Sequence, residues 1–165
     1  MTENLVLENV NIIYRNFSGR EIPPYNRFGD RNFSVIIDNA ELAQDLTAKG
    51  WNVKCKEATD DYPEQYTLKV KLRYPKAEEG TRFMPNIYLI TENNKTLLNE
   101  NTISELDFAD IKNVDVMLRP YNWENNGKSG ITAYVKSMYV TIDEDLLSKK
   151  YAEYEHPDED ALPFN

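Results

Sequence analysis

Residues 65–74 alternate strictly between two kinds of side chain. The even-numbered positions from Tyr66 to Tyr74 are aromatic or aliphatic, whereas Lys69, Lys71 and Arg73 stand at odd-numbered ones. A period of two residues indicates a strand that buries one face, so we predict an apolar inner face and a cationic outer face. Further apolar runs predict strands at residues 5–14, 33–37, 51–56, 86–91, 114–123 and 131–142.

Helical patterning is limited to short segments. Asp38 is a plausible helix cap, and Glu41 three residues later completes a capping-box pattern. The apolar stripe that follows ends at Gly50. We also predict a short helix near Asp107 and a final helix over residues 143–154.

Two polar segments connect the predicted strands. Residues 15–31 are expected to form a loop or an irregular hairpin, and residues 124–130 a hairpin loop rich in turn-forming residues. Several strands with one inserted helix predict a mainly β fold with short helices, arranged as a small mixed or Greek-key β barrel.

Charge is distributed unevenly along the 165 residues. The formal net charge is −9, from 28 acidic and 19 basic residues. Residues 151–165 hold five of the acids and no Lys or Arg, which leaves 23 acids against 19 bases, or −4, in residues 1–150. The low pI of the whole chain therefore says little about the charge of any one face of residues 1–150, called the body below. We predict one folded domain, residues 1–150, followed by an acidic, mobile tail, residues 151–165.

The sequence offers little support for an enzyme. Cys55 and His156 are the only cysteine and histidine, which excludes an internal disulfide and a His/Cys zinc site within one chain, and no cofactor or metal is expected. Asp110 and Lys112 match the Asp-x-Lys pattern of a magnesium nuclease, but such short matches are frequent by chance. No apolar run could span a bilayer and no signal-peptide pattern is present, so we expect a soluble intracellular protein.

Three groups of cations and rings are candidates for binding a polyanion. The first adds two lysines, at the same spacing on the preceding strand, to the cationic face of residues 65–74. Its members are Lys54, Lys56, Lys69, Lys71 and Arg73. If the two strands pair, five cations share one face, as in a surface that follows phosphates. The alternative is a solvated face whose lysines prevent aggregation at a sheet edge.

The second group lies in residues 14–33, where arginines are interleaved with aromatic rings. Arginine pairs with phosphate bidentately and stacks on bases, and an aromatic ring stacks on any base. Some of these rings, Phe33 in particular, are expected in the core instead. The candidate contacts are Arg15, Arg20, Arg27, Phe28 and Arg31.

The third group surrounds the predicted hairpin. Arg119, Tyr121 and Trp123 alternate along one strand and so share a face, with Lys128 in the loop and Lys136 on the return strand. Rings beside cations are typical of stacking platforms in single-strand binders. The alternative is ordinary packing of the two rings within the hairpin.

The last ten residues combine acidity with a small apolar group. A solvated tail has no folding reason to carry these apolar residues. We therefore predict a docking peptide whose apolar side chains fill a pocket on a partner protein while its acids meet a basic rim. The alternative is a frayed terminus. The predicted partner contacts are Asp158, Glu159, Asp160, Leu162, Pro163 and Phe164.

Five stretches of the body together resemble a family of phage-encoded single-stranded-DNA-binding proteins. The stretches are IYRNFSG (13–19), GDRNF (29–33), GWNVK (50–54), VDVMLRPYNWE (114–124) and GITAYVKSMYV (130–140). The resemblance implies an oligonucleotide-binding (OB) barrel without catalysis, acting in phage DNA replication or recombination in the cytoplasm of an infected bacterial host. It implies no individual DNA contacts, so the contacts above are inferred from their chemistry.

The tail is similar to the acidic tip of bacterial single-stranded-DNA-binding proteins. That tip ends Asp-Asp-Asp-Ile-Pro-Phe and recruits replication and repair enzymes. Here Asn165 follows Phe164, so the terminal carboxylate lies one residue beyond the ring, which departs from the bacterial pattern.

The sequence therefore predicts a sequence-tolerant single-stranded-DNA-binding protein whose tail recruits replication or recombination proteins. The alternative is a protein-interaction module that binds no nucleic acid, such as a host-directed inhibitor, which the net negative body favours. A divalent-metal nuclease is the enzyme alternative. The sequence leaves the oligomeric state open, a homo-oligomer included.

Overall fold

Nine β-strands, one α-helix and two 3-10 helices form the described part of the chain, residues 3–80, 83–92 and 94–142 of a computed structural model. The strands are β1 (Leu5–Val10), β2 (Ile12–Asn16), β3 (Arg31–Ile37), β4 (Val53–Lys56), β5 (Gln65–Leu72), β6 (Asn86–Ile90), β7 (Lys95–Leu98), β8 (Ile111–Asn125) and β9 (Lys128–Ile142). The α-helix is α1 (Ala40–Ala48), and the 3-10 helices cover Ala77–Glu79 and Ile103–Asp107.

All nine strands belong to one sheet. Its main path runs β1–β8–β9–β5–β3–β2, with β4 beside β5 and β6 joined to both β7 and β9. The β5–β9 and β6–β9 pairs are parallel, and the other pairs are antiparallel. Within the described residues no pairing between β1 and β2 closes the sheet. The predicted fold class, mainly β with short helices and OB-like, is confirmed, with the barrel left open at this seam.

The inner faces of the strands pack a single apolar core. On β5, Leu68 is fully buried while Lys69 and Lys71 are exposed, which confirms the predicted alternation. Phe17 and Phe33 stack in the same core with ring centroids 5.1 Å apart. Burial of such a ring stabilises the fold by roughly 1.5–3 kcal/mol, so Phe33 is a core residue, as the sequence suggested.

The single strand predicted over residues 5–14 is wrong, because the segment forms two strands, β1 and β2, separated at Asn11. Asn9 and Tyr14 have positive φ angles of 53° and 54°, which a regular strand does not contain. The Asn9 N–H donates instead to the Asp115 carboxylate at 2.9 Å. As a result β1 pairs with β8 whereas β2 pairs with β3, at the two ends of the strand path.

Asn39, and not Asp38, caps α1. The Asn39 side-chain oxygen accepts hydrogen bonds from the N–H groups of Glu41 and Leu42, at 2.9 and 3.1 Å. The predicted cap is therefore wrong by one position. Both residue types satisfy the free N–H groups of a first helical turn. The predicted end of the helical stripe at Gly50 is confirmed, since Gly50 has a φ of 102°.

The β8–β9 hairpin is longer than predicted. A two-residue turn, Asn126-Gly127, joins the strands with φ angles of 52° and 78°, as in the tight turns that suit twisted hairpins. Most of the predicted loop at residues 124–130 is therefore strand. The predicted strand at residues 51–56 is shortened to β4, and Trp51 before it is only 3% exposed.

The remaining expectations have mixed outcomes. The short helix predicted near Asp107 is the 3-10 helix that ends there, whereas β7 is not predicted from the sequence. The predicted final helix at residues 143–154 and the tail at residues 151–165 lie outside the described residues. Within the described part of the chain, no helix has the length and apolar character needed to cross a membrane.

Candidate nucleic-acid interface

Five cations share the outer face of β4 and β5. The register of β4 on β5 puts Lys54 and Lys56 opposite odd-numbered residues of β5, and directly opposed residues of antiparallel strands point to the same side. Lys69 and Lys71 are odd-numbered residues of β5, and Arg73 extends the row just beyond its end. The predicted pairing of the two strands is thus confirmed, and phosphate binding there stays a prediction.

A cleft of about 790 Å³ lies beside this row. It is lined by β3, by β5, by the loop at residues 24–30 and by Tyr134 of β9. Its charged lining residues are five cations and two acids, a net charge of +3 in a chain whose net charge is −9. The cleft thus joins part of the first predicted group to part of the second. The charged lining residues are Arg27, Arg31, Lys69, Lys71, Arg73, Asp30 and Glu100.

Asn26 holds the loop that lines the cleft. Its side-chain nitrogen donates to the carbonyls of Arg20 and Asp30, at 2.7 and 3.0 Å, and its side-chain oxygen accepts from Asn32 at 2.8 Å. These bonds fix the loop through its backbone and leave the Phe28 side chain 85% exposed. An exposed apolar ring beside a cationic cleft provides a stacking surface for a base.

The base of the same loop closes by contact between two glycines. The Gly29 N–H donates to the Gly19 carbonyl at 2.8 Å. A Cβ atom added at Gly19 would lie 3.1 Å from the Gly29 Cα, and Gly19 has a φ of 73°. The loop conformation therefore requires glycine at residue 19.

Arg31 lines the cleft but is already held by the protein. Its Nη1 donates to the Phe17 carbonyl at 2.6 Å, and its guanidinium lies 5.6 Å from the centroid of the Tyr74 ring. The Tyr74 hydroxyl is buried and has no hydrogen-bond partner among the described residues. Burial raises the pKa of Tyr74 to about 12, although the nearby Arg31 charge opposes that rise.

Arg73 is bound by a carboxylate. Its Nη2 donates to both carboxylate oxygens of Glu79, at 3.0 and 2.7 Å. Glu79 also accepts the Lys76 N–H at 3.3 Å. The hydrogen bond from Arg73 lowers the pKa of Glu79, and the Lys76 bond adds to that effect. Because carboxylate and phosphate compete for the same donors, Glu79 occupies the atoms that a phosphate would use.

The third predicted group adjoins the cleft through Tyr134. The Arg119 guanidinium lies 5.2 Å from the Tyr134 ring centroid and 4.4 Å from that of Phe83. Tyr121 meets Tyr134 edge to face at 6.2 Å, and the parallel β5–β9 register aligns Tyr134 with Lys71. One continuous surface therefore runs from β8 across β9 to the lysines of β5.

Trp123 lies farther along the same hairpin, directly opposite Gly130. Its indole is 38% exposed. A Cβ atom added at Gly130 would lie 2.9 Å from the indole Cζ2, so the indole packs directly against the glycine. The ring is thus held by the hairpin and partly exposed to solvent, as a residue that stacks on a base must be.

Nine of the fifteen predicted DNA contacts are absent from the cleft lining. Five of them are described above: Lys54 and Lys56 on β4, and Arg119, Tyr121 and Trp123 on β8. The remaining four are Arg15, Arg20, Lys128 and Lys136. Arg15 donates to the carbonyls of Leu106 and Ala109, at 3.0 and 2.7 Å, which gives it a structural role. The others are exposed: Arg20 in the loop after β2, Lys128 at the hairpin turn and Lys136 on β9. DNA contact by each of these four residues stays a prediction.

No group of three or more metal-ligating side chains occurs within the described residues. Asp107, three residues before Asp110 of the Asp-x-Lys pattern, accepts the backbone N–H groups of Phe17 and Ser18 at 2.6 and 3.2 Å. Asp107 therefore anchors the chain where β2 ends.

The contacts predicted from the sequence omit several residues that the fold brings to the cleft. Tyr25, which is 85% exposed, and Tyr134 and Tyr74 all line it. Tyr134 is the ring that connects the hairpin to β5, a role that depends on the long-range β5–β9 pairing. The one sequence feature that could have indicated an outward-facing Tyr134 is its position between the apolar residues Ala133 and Val135, which are buried in the structure.

A family model and several solved structures match the chain. The whole chain, residues 1–165, matches the model of a family described as "Putative phage ssDNA-binding domain". No curated protein sequence matches the chain.

Three solved structures of phage proteins are similar to it. The single-stranded DNA-binding protein from bacteriophage Enc34 in complex with ssDNA has a TM-score of 0.54 at 14% identity, over 86% of this chain and 88% of that chain. A C-terminal truncation of the Enc34 protein has a TM-score of 0.50 at 15% identity, over 86% and 87%. Gp2.5, a single-stranded DNA binding protein encoded by bacteriophage T7, has a TM-score of 0.44 at 10% identity, over 99% of both chains. The Enc34 structures support the fold, and the full-length family match identifies the chain as a member of the phage single-stranded-DNA-binding domain family.

Proposed function

We propose that this protein binds single-stranded DNA, without preference for base sequence, in the cleft between β5 and the loop at residues 24–30. The observation that carries the proposal is the concentration of charge: the cleft has a net charge of +3 in a chain of −9. Family membership supports the same ligand, as does the solved complex of the Enc34 protein with ssDNA.

Phosphates are the first element of this binding. Lys69 and Lys71 are exposed neighbours on one face of β5, roughly 7 Å apart along the strand, so each can meet a separate phosphate. Arg27 is exposed on the facing loop. Cations that replace the counterions of a polyanion gain entropy from the released ions, which favours binding that is strong and sensitive to salt.

Base stacking is the second element. Phe28 beside the cleft and the rings of Tyr121, Trp123 and Tyr134 on the hairpin present faces or edges to solvent. Every base has a stacking face, so such rings do not select among sequences. A duplex buries those base faces, and single strands are therefore preferred. This mode of binding uses no catalysis, metal or cofactor.

We infer a role in phage DNA replication or recombination in the cytoplasm of an infected bacterium. The acidic tail, with its contacts from Asp158 to Asp160 and from Leu162 to Phe164, recruits partner proteins there and competes with DNA for the cleft. Deletion of residues 156–165 should therefore tighten DNA binding while keeping its salt sensitivity. Unchanged or weaker binding would count against competition by the tail.

The test of the proposed function is a fluorescence-anisotropy titration of a labelled oligo-dT at low ionic strength, with a duplex of equal length as the competitor. Binding to oligo-dT that the duplex displaces poorly supports the proposal. No binding at low salt would refute it and would favour the alternative, a host-directed protein-interaction module. Magnesium-dependent cleavage of the oligonucleotide that Asp110→Ala abolishes would instead indicate a nuclease.

A further inference from the structure

A second cluster of rings and a cation lies on the outer face of β6, β7 and β9. Tyr88 and Tyr139 stack with centroids 5.1 Å apart and planes 16° from parallel. Lys95 places its Nζ 4.4 Å from the Tyr88 centroid and 5.5 Å from that of Tyr139. Neither tyrosine is among the DNA contacts predicted from the sequence. The two rings are brought together by the parallel β6–β9 register, which pairs Tyr88 with Tyr139.

These rings are not part of the core. Ile87 before Tyr88 and Met138 before Tyr139 are fully buried, so alternation turns both tyrosines outward. Tyr139 is 39% exposed, and Leu97, which pairs with Tyr88 from β7, is 54% exposed. Apolar surface left together on an outer face commonly marks an interaction site.

A β-bulge places this cluster on the same side of β9 as the cleft. Tyr134 and Tyr139 are five residues apart, and a regular strand would turn them to opposite faces. The β8–β9 register advances from Val135 directly to Ser137, which leaves Lys136 as the extra residue. The bulge corrects the alternation, so both tyrosines face outward with the exposed Lys136 between them.

We propose that Tyr88, Tyr139 and Lys95 form a second stacking site for single-stranded nucleic acid, continuous with the cleft along β9. The inference rests on the proposed function and extends it. A single-stranded nucleic acid that leaves the cleft at Tyr134 passes Lys136 along β9. It reaches Tyr139 after at most about 16 Å. Tyr139 offers an exposed ring, and Lys136 and Lys95 offer phosphate contacts along that line.

The acidic residue nearest in the sheet register is held by hydrogen bonds within the fold. Asp115 pairs with Tyr139 across β8 and β9. Its Oδ1 accepts the Asn9 N–H at 2.9 Å, and its Oδ2 accepts from the Asn113 side chain at 3.4 Å. Both carboxylate oxygens thus have donors within the fold, and the cation over the two rings is Lys95.

The proposal predicts an effect that depends on oligonucleotide length. The affinity of the wild-type protein is measured for oligo-dT of about 4 to about 16 nucleotides, the range of single-fold site sizes. The variant Tyr139→Leu/Lys95→Ala should match the wild type on the shortest oligonucleotide that binds. It should bind the longest about 10-fold more weakly, since one lost stacking contact has roughly that effect.

Two further variants keep the test decisive. Tyr139→Phe retains the ring and should retain the gain in affinity with length. Lys95→Ala alone changes an exposed side chain and should lose part of that gain while its thermal unfolding matches the wild type.

The outcomes separate this inference from the proposed function. If the wild type binds no oligonucleotide, the proposed function itself fails. If the wild type binds but the double variant matches it at every length, or weakens equally at every length, only the second site is overturned. A change in molar mass by light scattering without any effect of length would also overturn it, and would assign this face to a second copy of the chain.

Discussion

Neutralising the two exposed lysines of β5 should flatten the dependence of DNA binding on salt. In the variant Lys69→Gln/Lys71→Gln both side chains remain polar and outward-facing, while the buried Leu68 and Val70 between and beside them are untouched. Surface substitutions of this kind usually change the free energy of unfolding by less than about 0.5 kcal/mol. A change in binding would therefore report on DNA contact and not on folding.

The magnitude follows from the number of phosphates lost. For single strands the slope of log affinity against log salt is about −0.7 per neutralised phosphate, so losing two contacts makes the slope shallower by about 1.4. Between about 50 and about 200 mM salt, the wild type should lose about 7-fold more affinity than the variant. Anisotropy titrations of labelled oligo-dT at four or more salt concentrations give both slopes.

The matched control is Lys49→Gln/Lys112→Gln. It removes the same total charge from positions outside the cleft, at the end of α1 and on β8. Its slope should equal that of the wild type. If the two double variants have the same slope, the overall charge of the protein and not the cleft governs binding, and the reasoning is refuted.

Three other changes test separate parts of the structure. Glu79→Gln should free Arg73 for a phosphate and steepen the salt slope by about 0.7; an unchanged slope in the same titration would show that Arg73 does not contact DNA. Asn39→Ala removes the α1 cap and should lower the free energy of unfolding by about 1 kcal/mol in urea denaturation, with DNA affinity unaltered; equal stability would contradict the capping role. The folded protein holds the Tyr74 proton more tightly than the unfolded chain, since its pKa rises from 10.0 to about 12. The contribution of Tyr74 to the free energy of unfolding should therefore be fully present below pH about 10 and be lost between pH about 10 and about 12. If the urea midpoint of Tyr74→Phe falls with pH as much as that of the wild type, this reasoning is contradicted.

The local patterns of the chain predicted the parts of the fold that depend on local chemistry. The alternation of β5 is visible because side-chain direction has a fixed period of two, and burial of Leu68 beside exposed Lys69 follows from it. The hairpin of β8 and β9 was visible in its turn-forming residues, although the turn narrows to Asn126-Gly127. The cap was misplaced because Asp38 and Asn39 are both good capping residues.

Features set by tertiary contact were not predictable in this way. The irregularity of β1 at Asn9 includes a hydrogen bond to Asp115, 106 residues away in sequence. Arg15 looks like a phosphate ligand in the sequence, yet its guanidinium binds carbonyls more than 90 residues away. The outward direction of Tyr139 depends on a bulge in the β8–β9 register, and Tyr88 reaches it only through a parallel pairing.

The central claim is that single-stranded DNA binds in the cationic cleft beside β5. The most direct test is the mapping of backbone amide chemical shifts by NMR as an oligo-dT of about eight nucleotides is added to the full chain. The account predicts that the largest changes cluster at the amides of Phe28, Asn32, Lys71 and Tyr134, which line the cleft, while those of α1 stay in place. Changes concentrated on α1 instead, or no changes at low ionic strength, would contradict it.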